Sequence, residues 1–437
     1  MMNENNRLSG RLRRYGQVGG RAAGFGLRAT GSLIRGRGLD NDELAEQLVA
    51  SLGELRGPLV KVAQILATIP DAVPARFQDA FAKLQAHAPS MGKRFVARRM
   101  KAELGADWQT KFSHFSETST FAASLGQVHE AETLDGTKVA VKLQYPDMES
   151  AVEADLSQLD VILGLMRRFD GAIDTRDIRE ELADRLREEL DYQREAAFME
   201  AYQTMLKDLD VRVPNVHRDL STRRLLVMDW LEGQRIFDAN APVDDLARDL
   251  FKAWWHPLVG YAVIHGDPHP GNYTWNDDHG LNLLDFGCVR VFSPEFIEAV
   301  IKLYEGIRDE DRDKRASAYA DWGFVDLSQE LMDTLDIWAG FIYGPLLDDR
   351  RRMIAENVEA GAYGRAEAME VHARLKKLGP VRPPREFVFM DRAAISLGSV
   401  FIRLGAQQNW HQLFEEELDA SSPALRRQRQ EAILSKV

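Results

Sequence analysis

The chain has 437 residues, 45% apolar and 28% charged, with a net charge of −12, the make-up of an ordinary soluble globular protein of two or three domains. Its one cysteine, Cys288, excludes an intramolecular disulfide framework and fits a reducing compartment. No run approaches the roughly 18 apolar residues that span a bilayer, and the N-terminus lacks the apolar core of a secretory signal, so a cytoplasmic location is expected.

Residues 1–40 form a glycine-rich basic arm. Between positions 5 and 39 stand eight arginines (Arg7, Arg11, Arg13, Arg14, Arg21, Arg28, Arg35, Arg37) and no acid, which leaves 48 basic against 68 acidic residues elsewhere. Such an arm either stays solvated or meets anionic lipid, where each cation near the surface contributes about 1 kcal/mol. The acidic body repels phosphate, so nucleic acid is not an expected partner. From 41 to about 110 the pattern is helical, with Leu44, Leu48, Leu52, Leu55, Leu59 and Val62 at three- and four-residue steps. Residues 111–232 change character. FAASLGQVHEAETLDGTKVAVKLQYP reads as loop, strand, a turn at Asp135-Gly136, and strand. A charged helical stretch over 147–207 follows, then a strand pair at VRVPNVHR and RRLLVMDWLEG. From 233 to 437 helices dominate, apart from a short hairpin near YTWNDDHGLNLLDFG. There is no internal repeat. The order predicts an α+β, bilobal fold with a helical N-terminal extension.

The densest chemistry lies in His265-Gly266-Asp267-Pro268-His269-Pro270-Gly271-Asn272, followed thirteen residues after Asn272 by Asp285-Phe286-Gly287. Two histidines flanking an aspartate could hold a transition metal, but no third histidine or cysteine stands nearby to complete a ligand set. An Asp with an Asn five residues on, a hairpin, and then Asp-Phe-Gly is the spacing of the metal-binding half of a kinase site. There Asn272 and Asp285 supply hard oxygens suited to Mg²⁺, and Asp267 stands where a base or positioning group would accept a proton. Phosphoryl transfer needs such groups because its charge is met by metal and geometry, with little covalent chemistry from the protein.

The matching half lies upstream. Val139-Ala140-Val141-Lys142 reads as a strand turning Lys142 inward, towards nucleotide phosphates. An acidic partner is expected on a following helix, where Glu188, Asp191 and Glu195, spaced three and four apart, share one face; geometry alone does not choose among them. The loop before the first strand, Ala122-Ala123-Ser124-Leu125-Gly126-Gln127, has one glycine where kinases carry three, so phosphate would be gripped by a differently shaped turn. Met228-Asp229-Trp230-Leu231 reads as an interlobe strand presenting backbone groups to adenine. Trp254, Trp255 and Cys288 read as core.

Taken together these residues resemble the UbiB-type atypical kinase family, linked to ubiquinone biosynthesis. The resemblance covers about residues 41–415 and rests on four landmarks: LRGPLVKVAQ, similar to the family's K-x-G-Q helix, the Ala-rich loop FAASLGQVH, the E-x-D segment Glu189-Leu190-Asp191 with Glu195, and the HGDPHPGN and LLDFG pair. It implies that Lys142 contacts the α/β-phosphates and pairs with Glu195, that Asn272 and Asp285 hold Mg²⁺, and that Asp267 is the catalytic aspartate. It also implies that Lys61 and Gln64 pack over the site near Glu189 and Asp191. Ala63 stands where the family motif has glycine. The C-terminal transmembrane pair of some bacterial members is not found, so any membrane contact is expected to be peripheral.

The function expected from these features is an atypical kinase or ATPase binding Mg-ATP between two lobes and supporting prenylated-quinone or lipid biosynthesis at the membrane surface. ATP/ADP, membrane lipids and a quinone-biosynthesis complex are the expected partners. Two alternatives stand beside it: a small-molecule phosphotransferase of the aminoglycoside or choline kinase type, and a non-catalytic nucleotide-sensing scaffold for a lipid-synthesis complex.

Overall fold

The computed structural model describes residues 91–123, 125–153, 156, 183–324, 327–378 and 384–437. Lys61, Gln64, Ser124, the basic arm and most of the helical extension therefore lie outside the described residues. The described residues fall into two compact units.

The first unit, 91–156, 183–193 and 217–228, is built on a sheet that alternation in the sequence dictates. Strands β1 (Phe112–Phe115), β2 (Phe121–Ala122), β3 (Gly126–Thr133), β4 (Lys138–Gln144) and β6 (Leu225–Asp229) run in the order β1-β3-β4-β6, with β2 also on β3. The β3–β4 hairpin turns at Asp135-Gly136, where Gly136 has φ +87°, a left-handed value that glycine adopts at no steric cost. In β4 side chains alternate between faces. Val139, Val141 and Leu143 pack with Leu225 and Val227 of β6 against Phe95, Val96 and Met100 of helix α1 (Lys93–Leu104). Lys142 consequently emerges on the opposite face.

The second unit holds the remaining described residues. Strands β5 (Val211–Arg212), β7 (Gln234–Arg235), β9 (Tyr273–Asn276) and β10 (Gly280–Leu283) form a sheet ordered β5-β10-β9-β7, and β8 (Val263–His265) pairs antiparallel with β11 (Val289–Val291) in a two-stranded ribbon. Helices α2 (Tyr192–Met205), α3 (Val243–Tyr261), α4 (Pro294–Arg308), α5 (Arg312–Asp321), α6 (Gln329–Leu347), α7 (Arg365–Leu378), α8 (Arg385–Leu404), α9 (Trp410–Asp419) and α10 (Pro423–Leu434) make up most of the rest, apart from Tyr192 and Gln193 at the start of α2, which belong to the first unit. Their starts are written in the sequence: Ser293, Asp311, Ser328, Asn409 and Ser422 each accept a backbone N–H of the first turn, and α4 and α10 open on proline. Trp254 and Cys288 are buried, as expected, and Trp255 packs on Phe251 and Phe414.

Two expectations change. The helix carrying Glu188 does not run on to Glu195. It ends in a turn at Glu189-Leu190, and Asp191 caps a new helix, its Oδ1 accepting from Gln193 N–H at 3.0 Å. The shared acidic face therefore does not exist; an aspartate inside a helical run competes for backbone donors and is better placed at a start. The two segments around VRVPNV and RRLLVMD are strands, but β5 pairs in parallel with β10 and β6 joins the other sheet. Pro214, which lacks an N–H, stops β5 after two residues; beyond it Asp229 N–H donates to Asn215 O (2.9 Å) in the second unit.

Candidate active site

The motif that carries Asp267 and Asn272 hangs on the β8–β11 ribbon, in which Val289 faces His265. Everything between the two strands, residues 266–288, is one excursion that includes the β9–β10 hairpin. His265 is fully buried, edge-on to Tyr202 (6.1 Å), Trp254 (5.5 Å) and Phe286 (5.7 Å). Its Nε2 donates to Asp285 O, and its Nδ1 accepts from Asp267 N–H at 3.4 Å. A carbonyl only accepts and an amide N–H only donates, so both ring nitrogens are assigned, and burial pushes the imidazole below its ordinary range. One ring thus fixes the backbone at both aspartates.

Asn272 Nδ2 donates to Asp267 O at 2.9 Å and to Asp267 Oδ2 at 3.4 Å, which turns the amide's Oδ1 away from Asp267. Asp285 Oδ1 accepts from Gly287 N–H at 3.0 Å, and Leu284 N–H reaches Asn272 O at 3.0 Å. Asp267, Asn272 and Asp285 are all partly exposed and lie on one tightly bonded loop system. Two carboxylates and an amide oxygen are hard donors, the chemistry Mg²⁺ selects. The glycine of the motif has a packing reason: a Cβ on Gly266 would lie 2.7 Å from Cys288 O and 2.9 Å from Cys288 Sγ. His269 caps the short turn Pro270–Asn272, its Nδ1 accepting from Gly271 N–H at 3.0 Å. Neither histidine presents a metal-ready pair, and among the described residues no group of three or more His, Cys, Asp or Glu side chains is placed to hold a metal ion.

In the first unit Lys142, 8% exposed, extends its Nζ over the Tyr192 ring, 5.2 Å from its centre. Tyr192 carried no sequence signal beyond being a buried aromatic next to the acidic cap. Ala122 pairs with Gln127, and Ala123 N–H donates to Gly126 O at 2.9 Å, so the two alanines are bonded back onto the start of β3. Leu125 is buried, its carbonyl accepting from Tyr145 N–H at 3.0 Å. Gly126 is required by contact, since a Cβ there would lie 2.3 Å from Leu143 O and 2.8 Å from the Tyr192 hydroxyl.

Gln127 is engaged by the protein: its Oε1 accepts from Met91 N–H at 2.7 Å and its Nε2 meets His129 Nε2 at 2.7 Å. His129 Nδ1 in turn donates to Ser116 O at 2.7 Å, and burial lowers the ring's pKa. The Gln127 side chain therefore ties the segment before α1 to the sheet.

Glu189 is buried, its N–H bonded to Arg185 O, and Asp191 pairs with Arg223 at 3.6 Å besides capping α2. Glu195 is 3% exposed in the first turn of α2 and belongs to the second unit, Lys142 to the first. Met228 is buried at the end of the first unit's share of β6. Asp229 accepts from Asn215 Nδ2 at 2.6 Å, and Leu231 is half-buried. A residue that local patterns did not reveal is Asn282, fully buried, whose Nδ2 donates to Glu232 O at 3.0 Å; Asn276 Nδ2 donates to the same carbonyl at 3.1 Å. Together they staple the segment after β6 to the hairpin between Asn272 and Asp285.

A lysine-bearing antiparallel sheet in one unit, and in the other a ribbon-held loop with Asp, Asn and Asp-Phe-Gly, define the protein-kinase-like class. A profile of the ABC1 atypical kinase-like domain matches residues 83–319, and the chain belongs to that family, the UbiB-type group its motifs resemble. It is 29% identical to the mitochondrial atypical kinase COQ8B of Rattus norvegicus over 72% of this chain and 63% of that protein. It is 28% identical to the mitochondrial atypical kinase COQ8 of Saccharomyces cerevisiae over 68% and 64%. The chain thus spans less than two thirds of these relatives. A solved Rv3197–erythromycin complex from Mycobacterium tuberculosis superposes with a TM-score of 0.58 at 26% identity, over 90% of this chain and 98% of that one. No helix among the described residues is long and apolar enough to cross a membrane.

Proposed function

We propose that the protein is an atypical kinase or ATPase that uses Mg-ATP in support of prenylated-quinone or lipid biosynthesis at a membrane surface. The observation that carries this is the single loop system in which His265 fixes Asp267 and Asp285 while Asn272 is bonded to Asp267. Asn272 and Asp285 would hold Mg²⁺, which supplies charge neutralisation at the phosphates, and Asp267 would orient the attacking oxygen. Lys142 and the backbone of the 122–127 turn add phosphate contacts, Glu195 supports Lys142, and Met228, Asp229 and Leu231 serve the base. Glu189 and Asp191, with Lys61 and Gln64, shape the acceptor side. The quinone link is drawn from the two COQ8 relatives, and peripheral membrane contact from the arginine arm.

The test is ADP release by the pure protein with Mg-ATP, with and without anionic vesicles and a phenolic quinone precursor. Turnover that rises with vesicles and vanishes in Asp285→Asn is the expected result; no turnover under any condition, with Asp285→Asn binding nucleotide as wild type does, overturns the reading. A second reading, phosphate transfer to a soluble small molecule, is favoured by the relative solved with erythromycin. It predicts a phosphorylated acceptor in vesicle-free reactions.

A further inference from the structure

The excursion 266–288 carries Asp267, Asn272 and Asp285, so the disposition of these groups depends on how firmly the base of the β8–β11 ribbon is held. At that base Ala262 stands in the left-handed region (φ 51°, ψ 39°), and Phe292 N–H donates to Ala262 O at 2.8 Å. Helix α10, beyond the matched family domain, reaches this point. Gln430, 8% exposed, donates from Nε2 to Phe292 O at 2.8 Å and to Ala262 O at 3.5 Å. One amide group therefore bridges the carbonyls at which the chain enters β8 and leaves β11. Just upstream, Arg426 Nε (2.7 Å) and Ser421 Oγ (3.0 Å) both donate to Val259 O in the last turn of α3. The outer face of α10 adds only exposed pairs from Arg427 to Glu295 and Glu298, which contribute little.

We propose that Gln430 is a positioning residue for the phosphate- and metal-binding loop, acting by cross-bridging the base of the ribbon. Its amide meets the carbonyls of two residues that the bond from Phe292 N–H to Ala262 O already joins. With the donor removed, both carbonyls lose a buried partner at the root of the segment that ends in the site. Three-residue strands transmit such a shift directly to their far end, where His265 holds Asp285 O, Gly266 N–H donates to Cys288 O and Arg194 donates to Val289 O at 3.2 Å.

The experiment compares full-length wild type with Gln430→Met, which keeps side-chain length and apolar bulk but not the donor, and with Arg427→Gln as a control on the same helix. Amide hydrogen exchange is followed at Gly266 and Leu284, alongside kcat, KM for ATP and the Mg²⁺ dependence. In Gln430→Met, protection at Gly266 and Leu284 falls about fivefold, the effect of one lost hydrogen bond. Its kcat falls by a comparable factor with KM for ATP unchanged, while Arg427→Gln matches wild type throughout. Wild-type protection at both amides in folded Gln430→Met, or a loss spread equally over α3, α4 and α6, overturns the proposal. If Gln430→Met does not fold, Gln430→Asn, whose shorter amide cannot reach both carbonyls, is judged by the same criteria. The kinetic arm rests on the Mg-ATP reading; the exchange arm does not, so a wild type without turnover refutes that reading and leaves the role of Gln430 to be decided by exchange.

Discussion

Replacing His265 by phenylalanine separates what the ring does as bulk from what its nitrogens do. Phenylalanine keeps an aromatic ring among Tyr202, Trp254 and Phe286 but removes the ring's bonds to Asp285 O and Asp267 N–H. A buried group left unsatisfied costs about 1–3 kcal/mol; the 3.4 Å bond to Asp267 belongs at the low end, so the sum is about 2–4 kcal/mol near pH 7.5. The penalty also carries a pH signature. Burial depresses the folded-state pKa of His265, so the unfolded chain takes up a proton near its ordinary value of about 6.5 before the folded one does. The stability contributed by neutral His265 is present above that pH and is lost as pH falls towards the folded value, at about 1.4 kcal/mol per pH unit. Other titrating groups, His129 among them, are common to both proteins and cancel in the difference. Urea unfolding followed by tryptophan fluorescence at several values between about pH 5 and 7.5 gives that difference directly. A gap between wild type and variant that stays constant with pH would refute the assignment of His265 as a buried neutral clamp.

Gly126→Ala would destabilise by about 1–3 kcal/mol in thermal unfolding, because the new methyl meets the Leu143 carbonyl within a paired strand that cannot yield. Gly266→Ala should cost a similar amount and, unlike Gly126→Ala, should change the reactivity of the buried Cys288 thiol towards a thiol reagent, since the methyl lands on its sulfur. Asp191→Ala removes a helix cap and should lower stability by about 1 kcal/mol, with Asp191→Asn retaining most of it. Burial raises Asp249 to about 6, so the folded protein holds a proton there that the unfolded chain releases near its ordinary value of about 3.9. Wild-type stability is therefore lost as pH rises through that window, and the gain from Asp249→Asn in melting temperature should grow from about pH 4 to pH 6 and level off above it.

Local patterning carried much of this architecture. Alternation placed β3 and β4 and set Lys142 opposite the core, an Asp-Gly pair marked the turn, and serine, aspartate and proline marked helix starts. The spacing from Asp267 to Asn272 to Asp285 located the loop system because those distances are set by a hairpin whose length is itself local. What could not be read depends on partners remote in sequence. Gly126 looked like the remnant of a phosphate-cradling loop, yet its need for glycine comes from the carbonyl of Leu143 across the hairpin and from Tyr192. Gln127 reads from sequence as the end of that loop, yet its side chain is held by Met91 and His129, and His129 in turn by Ser116. The break before Asp191 was within reach, since aspartate followed by strong helix formers is a start signal; a continuous acidic stripe was the simpler pattern and the wrong one.

The two histidines of the loop show why ligand type alone does not make a metal site. A metal takes an imidazole lone pair, and each neutral imidazole has one to give. In His265 that lone pair accepts the N–H of Asp267, and the opposite nitrogen holds the carbonyl of Asp285. In His269 the Nδ1 lone pair caps the turn that ends at Asn272. Both are thus committed to shaping the backbone from which the oxygen donors project. The same accounting applied to Asn272 gives the opposite answer, because its nitrogen is spent on Asp267 and its oxygen is directed elsewhere. The loop therefore directs nitrogen inward, where it fixes geometry, and oxygen outward, where a hard cation and its phosphates would be met.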